Sequence, residues 1–290
     1  MITDADVAFY RANGYLMVPD VFSPGEVAEL RAVTDDFVER AGAIDAHDAV
    51  YDLEDSHRRG NPRVRRIKTP HLHDPVYAAA SRHPKVIEVL RRLIGPSIRF
   101  DTGKLNLKSA GYGAPVEWHQ DWAFYPHTND DLAAVGIMMD DVDEANGPLL
   151  VVPGSHLGPT YDHHADGRFC GAMDVERDKI DLSTAVPLVG RAGSITIHHA
   201  RIIHGSATNR TNRPRRLLLF QYTAADAWPL RGVTDYDQFK ASLISGEESM
   251  MPRIVATPVR MPYPEAAHGG SIYENQKGTA SRYFATAERA

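Results

Sequence analysis

Between Ile98 and Thr223 the chain is a succession of short apolar runs, 98–101, 104–109, 133–139, 149–152, 194–199 and 215–223. Glycine and proline signals separate them: Gly111-Tyr112-Gly113, Asn146-Gly147-Pro148 and Pro153-Gly154-Ser155. Runs this short, punctuated this often, suit strands that stack as a sandwich or jelly roll. The first hundred residues follow a different rule. Thr3 can cap a helix that runs to about Ala12 and stops at Asn13-Gly14, and Tyr15 to Val18 reads as a short strand. Ser23-Pro24 opens a helix to about Arg40, ending at Gly42, in which Val27, Leu30, Val33/Thr34 and Phe37 recur at helical spacing. A further helix spans His83 to Leu93. Residues 43–66 are polar and aperiodic and read as a loop or lid, 156–182 as a second loop, and the proline-rich tail after about 228 has little period. The expected fold is mainly β with flanking helices. The expected organisation is one domain over 1–290: helical support and lid to 96, a β core over 97–225, and a C-terminal extension over 226–290.

Composition narrows the chemistry. Cys170 is the only cysteine, so a disulfide within the chain and thiolate-held zinc or iron–sulfur sites are excluded. A metal would need His, Asp or Glu, and the chain has 14 histidines. A net charge of −6 argues against nucleic acid as a partner, and no run reaches the roughly 18 apolar residues of a membrane helix. Met1-Ile2-Thr3-Asp4 reads as neither a signal nor a transit peptide, so the expectation is a soluble cytoplasmic enzyme acting on a small molecule. Nothing in the sequence sets an oligomeric state.

The sharpest local feature is Trp118-His119-Gln120-Asp121. In extended chain, residues two apart share a face, so His119 and Asp121 can reach one ion. One imidazole plus one carboxylate is two-thirds of the facial triad of non-haem Fe(II) oxygenases. Far downstream comes His204-Gly205-Ser206, whose Gly-Ser reads as a tight turn. Arg215 follows at 215 − 204 = 11 residues, opening an apolar strand. A hairpin of that length can return the guanidinium beside the histidine. There it could hold the distal carboxylate of a 2-oxo acid chelating the metal.

These pieces resemble the phytanoyl-CoA dioxygenase family of Fe(II)/2-oxoglutarate-dependent oxygenases, which includes ectoine hydroxylase. The resemblance covers roughly residues 5–225 in order. It is carried by Asn106-Leu107-Lys108, Trp118-His119-Gln120-Asp121, Asn146-Gly147-Pro148-Leu149, Val152-Pro153-Gly154-Ser155-His156, Gly193-Ser194, His204-Gly205-Ser206, Asn209 and Arg213 to Arg216. It implies a double-stranded β-helix core, with His119, Asp121 and His204 holding Fe(II). Arg215, Ser206 and Asn106 would bind 2-oxoglutarate, and dioxygen would be the oxidant. Halogenating relatives of this chemistry carry a small residue in place of the ligand carboxylate, so Asp121 favours hydroxylation, with desaturation or ring formation also open. Gly193-Ser194 departs from the commoner Gly-Asp pair.

Other residues have plainer roles open to them. His198 and His199 compete with His204 for the third ligand position, but only His204 has Gly-Ser after it and Arg215 at the right distance; one of the pair is expected to face the pocket. His156 reads as a turn residue with a structural hydrogen bond, and Arg213 and Arg216 as solvated or salt-bridged. Trp122 and Tyr125 follow the ligand pair; aromatics there are usually core, but in the resembled family those after the ligand pair often line the substrate pocket, and that is the role expected of them. Lys68 and Arg66 could reach an anionic substrate or form a surface patch. Two readings compete with the oxygenase: a cupin-like metal dioxygenase that does not use 2-oxoglutarate, and a non-catalytic binding module on the same fold. The polar loops favour a small polar or anionic substrate over a long acyl chain.

Overall fold

The structure is a computed structural model and describes residues 2–111, 113–266, 272–276, 279 and 282–284. Tyr112, in the expected Gly111–Gly113 turn, and residues 267–271, 277–278, 280–281 and 285–290 of the expected extension lie outside them. The helices are α1 (Asp4–Asn13), α2 (Pro24–Ala41), α3 (Pro75–Ala80), α4 (Pro84–Leu93), α5 (Tyr236–Ala241) and α6 (Ile272–Gln276). The strands are β1 (Tyr15–Val18), β2 (Tyr51–Leu53), β3 (Val64–Lys68), β4 (Ile98–Lys108), β5 (Val116–His119), β6 (Leu132–Met138) and β7 (Leu149–Val151), then β8 (His164–Ala165), β9 (Arg168–Phe169), β10 (Val186–Leu188), β11 (Ile195–His199), β12 (His204–Ser206), β13 (Arg215–Ala224) and β14 (Leu243–Ser245).

Helices α1 and α2 begin as their sequences dictate. Thr3 with Asp6, and Ser23 with Glu26, form capping boxes in which each cap hydroxyl accepts an N–H and each acid takes the cap's own N–H. Gly14 ends α1 in the left-handed region at φ 78°, where glycine carries no Cβ penalty, and a Cβ there would lie 2.5 Å from the His156 ring.

A large sheet runs β1-β11-β6-β13-β4-β3-β2, with β14 also on β4, and a four-stranded sheet runs β10-β7-β12-β5. Period-two alternation decides what each face of the large sheet does. On β13, Leu218, Phe220 and Tyr222 enter the main core, while Arg215, Leu217, Leu219 and Gln221 line a cavity. On β4, Leu105 and Leu107 face the core while Lys104 and Asn106 face the cavity. The core also takes Val27, Leu30 and Phe37 of α2, and Val86, Val89 and Leu90 of α4, so these helices cover the apolar face of the sheet.

Four expectations are corrected. Residues 43–66 do not form a free lid, because β2 and β3 pair with each other and β3 pairs with β4, extending the large sheet. Their polar sequence is compatible with sheet burial because the charges are matched: Asp52 is 1% exposed and accepts from Arg66 Nε at 3.0 Å, and Arg65 pairs with Glu54 at 3.1 Å. The large sheet therefore crosses the composition change near residue 97. His204-Gly205-Ser206 is a strand and not a tight turn, pairing with β5 and β7. Gly205 suits this close packing, since a Cβ there would lie a tight 3.1 Å from the Val116 carbonyl oxygen. Consequently β12 and β13 are not a hairpin; they lie in different sheets. The tail is not wholly irregular either, since β14 adds to the large sheet beside β4. Among the described residues, no helix is long and apolar enough to cross a membrane.

Candidate metal and co-substrate site

The antiparallel register of β12 on β5 sets His204 directly opposite His119. Their rings are 4.1 Å apart between centroids. After His119 the backbone stays extended through Gln120, at φ −120° and ψ 125°, before a single 3₁₀ turn starting at Asp121. His119 and Asp121 therefore face the same way. Gln120 faces the other way, its amide donating to the Arg201 carbonyl at 2.8 Å and to that of Pro159 at 3.1 Å. The Asp121 Oδ1 atom lies 3.8 Å from both His119 Nε2 and His204 Nε2. One ligand atom from each of the three residues lies within 4.8 Å of the others, and all three residues are buried.

The imidazoles are oriented for a metal. His119 Nδ1 donates to the Glu117 carbonyl at 2.7 Å and His204 Nδ1 to that of Ile202 at 3.0 Å, which leaves both Nε2 lone pairs facing Asp121. Burial lowers the His119 ring to about 4 against the raising effect of Asp121, and burial likewise holds His204 well below its ordinary value. Both are neutral near pH 7, the form that binds metal. Burial tends to raise the Asp121 carboxyl, but Lys104, His204 and His198 outweigh it and hold it well below the usual carboxylate range. Two neutral imidazoles and one carboxylate make a nitrogen- and oxygen-donor set suited to ferrous iron.

The same cavity is lined by Asn106, Ser206 and Arg215. Arg215 is 3% exposed and donates from Nη2 to the Gly147 carbonyl at 2.7 Å, while its buried Nε has no partner among the described residues. Burial lowers its guanidinium to about 10, so it remains charged near neutrality. The Asn106 Oδ1 atom is also buried without a partner among the described residues. A buried cation with an unused donor fits the distal carboxylate of a chelating 2-oxo acid, because an unpaired buried charge is costly and an anion relieves that cost.

Most other sequence expectations find their places. His198 lines the cavity and its Nε2 meets Asp121 Oδ2 at 3.4 Å, while His199 packs beside Tyr10 and His156. His156 bonds the Arg11 carbonyl at 3.1 Å through Nε2. Arg213 pairs with Asp143, and Arg216 with Asp140 and Asp35. Tyr125 and Lys68 line a second, outer chamber. Trp122 does not: it is fully buried among Leu132, Ala200, Ala224 and Ala227, with its indole N–H donating to the Pro258 carbonyl at 3.2 Å. It turns inward because Asp121 starts a 3₁₀ turn, so strand alternation no longer governs the residues after it.

Sequence reasoning missed Lys104, Gln221 and Ile272, which line both chambers. A signal for both Lys104 and Gln221 was present in strand parity: Lys104 lies two residues from Asn106 on β4, and Gln221 shares the parity of Arg215 on β13. Ile272 comes from the tail, which Gln276 fastens to β5 by accepting the Glu117 N–H at 3.0 Å.

Residues 10–217 match the phytanoyl-CoA dioxygenase (PhyH) family. The chain is 37% identical over 279 residues to a protein of Stutzerimonas stutzeri described as "Probable alpha-ketoglutarate-dependent hypophosphite dioxygenase", covering 95% of this chain and 97% of that one. It is 30% identical to the L-proline trans-4-hydroxylase of Streptomyces griseoviridis, covering 79% and 90%. Its fold is similar to that of EctD from S. alaskensis, crystallised with 2-oxoglutarate and 5-hydroxyectoine, at TM-score 0.66, 23% identity and coverage of 90% and 88%. The order and spacing of the ligand motifs, the helix-backed sheets and these likenesses agree: the chain belongs to the phytanoyl-CoA dioxygenase family.

Proposed function

We propose that the chain is an Fe(II)- and 2-oxoglutarate-dependent dioxygenase that hydroxylates a C–H bond of a small molecule. His119, Asp121 and His204 hold the iron, and Arg215, Ser206 and Asn106 hold 2-oxoglutarate. The observation that carries this reading is the buried His–Asp–His cluster sharing one cavity with a buried arginine that has an unused donor. We read residues 1–290 as one catalytic domain, the two sheets as the walls of a double-stranded β-helix, and the cytoplasm as its location, where iron stays ferrous.

Bound ferrous iron, 2-oxoglutarate and dioxygen supply an oxidant for unactivated C–H bonds, giving an alcohol, succinate and carbon dioxide. The protein's part is placement. The backbone carbonyls of Glu117 and Ile202 fix the two imidazoles, and His198 fixes the carboxylate. Arg215, in the same cavity, orients the co-substrate by its distal carboxylate. The buried walls, including Val116, Leu217 and Leu219, exclude water that would quench the oxidant. A second reading, favoured by the 37%-identical relative, is that the bond attacked is the P–H bond of hypophosphite.

Succinate release and oxygen uptake over a substrate panel that includes hypophosphite test both readings. Turnover is expected to require 2-oxoglutarate; equal turnover without it would overturn the proposal.

A further inference from the structure

Beyond the inner cavity lies an outer chamber of about 610 Å³. That is the volume range of sites for drug-sized ligands. Hypophosphite, with three heavy atoms, would occupy a small part of it. Lys104, Asp121, Leu219, Gln221 and Ile272 line both spaces and so form the neck between them.

Among the described residues four cations border the outer chamber, and three are already committed. Arg66 donates to Asp52 Oδ2 at 3.0 Å, Lys68 meets Asp52 Oδ1 at 3.0 Å, and Arg231 pairs with Glu265. Lys104 differs. It is half-buried, and among the described residues its ammonium has no hydrogen-bond or ion-pair partner; the Asp121 charge acts on it only from a distance. Asp121 is the carboxylate expected to bind iron. In the loaded site the charges of ferrous ion, Asp121, Arg215 and the 2-oxoglutarate dianion cancel, which leaves the positive charge of Lys104 over. A half-buried, uncompensated ammonium attracts an anion, and more strongly than it would in water.

We propose that the substrate is an organic anion whose acid group is held by Lys104 at the neck, with its remaining atoms in the outer chamber. The inference rests on the oxygenase reading and narrows it to a substrate class. Phe124, Tyr125 and Phe169 give the chamber an aromatic side for the body of such a molecule, and Thr69 and Thr102 give it hydroxyls. Lys104 is then a specificity-determining residue, distinct from the co-substrate anchor Arg215.

The test uses the full chain loaded anaerobically with Fe(II) and 2-oxoglutarate, and calorimetric titration with matched probes. These are 4-phenylbutyrate against 4-phenylbutyramide, and propylphosphonate against its dimethyl ester. At least one acid is expected to bind tenfold or more tighter than its neutral partner. Lys104→Met should abolish that preference and Lys104→Arg should keep it, with 2-oxoglutarate affinity within twofold in both and melting curves verifying the fold. The inference is overturned if neither acid binds, if neutral and anionic probes bind alike, if the preference survives Lys104→Met, or if that variant loses 2-oxoglutarate. Hypophosphite binding without either organic acid also overturns it. Absence of the visible iron–2-oxoglutarate charge-transfer band in the wild type would instead sink the oxygenase reading.

Discussion

The carboxylate of Asp121 is divided between two neighbours: Oδ2 lies 3.4 Å from His198 Nε2, while Oδ1 faces the Nε2 atoms of His119 and His204. His198 thus acts as a positioning residue, leaving one oxygen to the metal. Loss of such a supporting contact typically costs 10–100-fold in metal affinity. His198→Phe is expected to weaken Fe(II) binding by about tenfold, with His198→Gln restoring part of it. Competition against a chromophoric chelator measures this directly. Unchanged affinity in His198→Phe would show that the contact does not orient the ligand.

Arg215 is predicted to govern the co-substrate and not the metal. Removing one partner of a buried charge pair costs about 2–5 kcal/mol. Arg215→Met should therefore raise the Kd for 2-oxoglutarate by roughly 100-fold while iron affinity stays near wild type. The intensity of the charge-transfer band against 2-oxoglutarate concentration reads the first quantity, and chelator competition the second.

Trp122 serves the core, so its truncation is a stability experiment. Trp122→Ala removes a fully buried indole and should cost about 3–5 kcal/mol. Denaturant unfolding of the metal-free protein should show that loss. Trp122→Phe should fold and keep the substrate preference of the wild type. A changed preference would return the residue to the substrate pocket.

Buried histidines predict acid sensitivity. His163 accepts the Gln120 N–H at Nε2, at 2.9 Å, and bonds the Tyr161 carbonyl through Nδ1 at 2.9 Å, so protonating Nε2 would break the first bond. Burial lowers His163 to about 3 and His127 to about 4, from 6.5. A group depressed in the folded state is neutral in both states above pH 6.5 and costs nothing there. Below that the unfolded chain takes up protons first, and stability falls with pH until the folded pKa values are passed. The melting temperature of metal-free protein should hold above pH 6.5 and decline toward pH 3–4. A flat profile across that window would contradict the buried, neutral assignment.

How far the sequence reached is clearest on β13. The apolar run opened by Arg215 was readable as a strand, and the period of two in extended chain then puts Leu218, Phe220 and Tyr222 on one face and Arg215 on the other. The His119–Asp121 pair was readable for the same reason, and the helix caps because Thr3, Ser23 and Gly14 act within a few residues of themselves. Residues 43–66 were misread because their burial depends on ion pairs, Asp52 with Arg66 and Glu54 with Arg65, whose worth appears only once β2 and β3 are in place.

By itself, then, the sequence determined the alternation of the strands, the donor types available to a metal, and the order of the ligand motifs. Tertiary structure alone decided that His204 sits opposite His119, that Trp122 turns into the core, and that the tail brings Ile272 to the neck. It also left Lys104 without a partner among the described residues while its neighbours found theirs. The physical reason is range. Backbone parity and capping act over a few residues, whereas strand register between distant segments and the pairing of buried charges are settled only when the sheets come together.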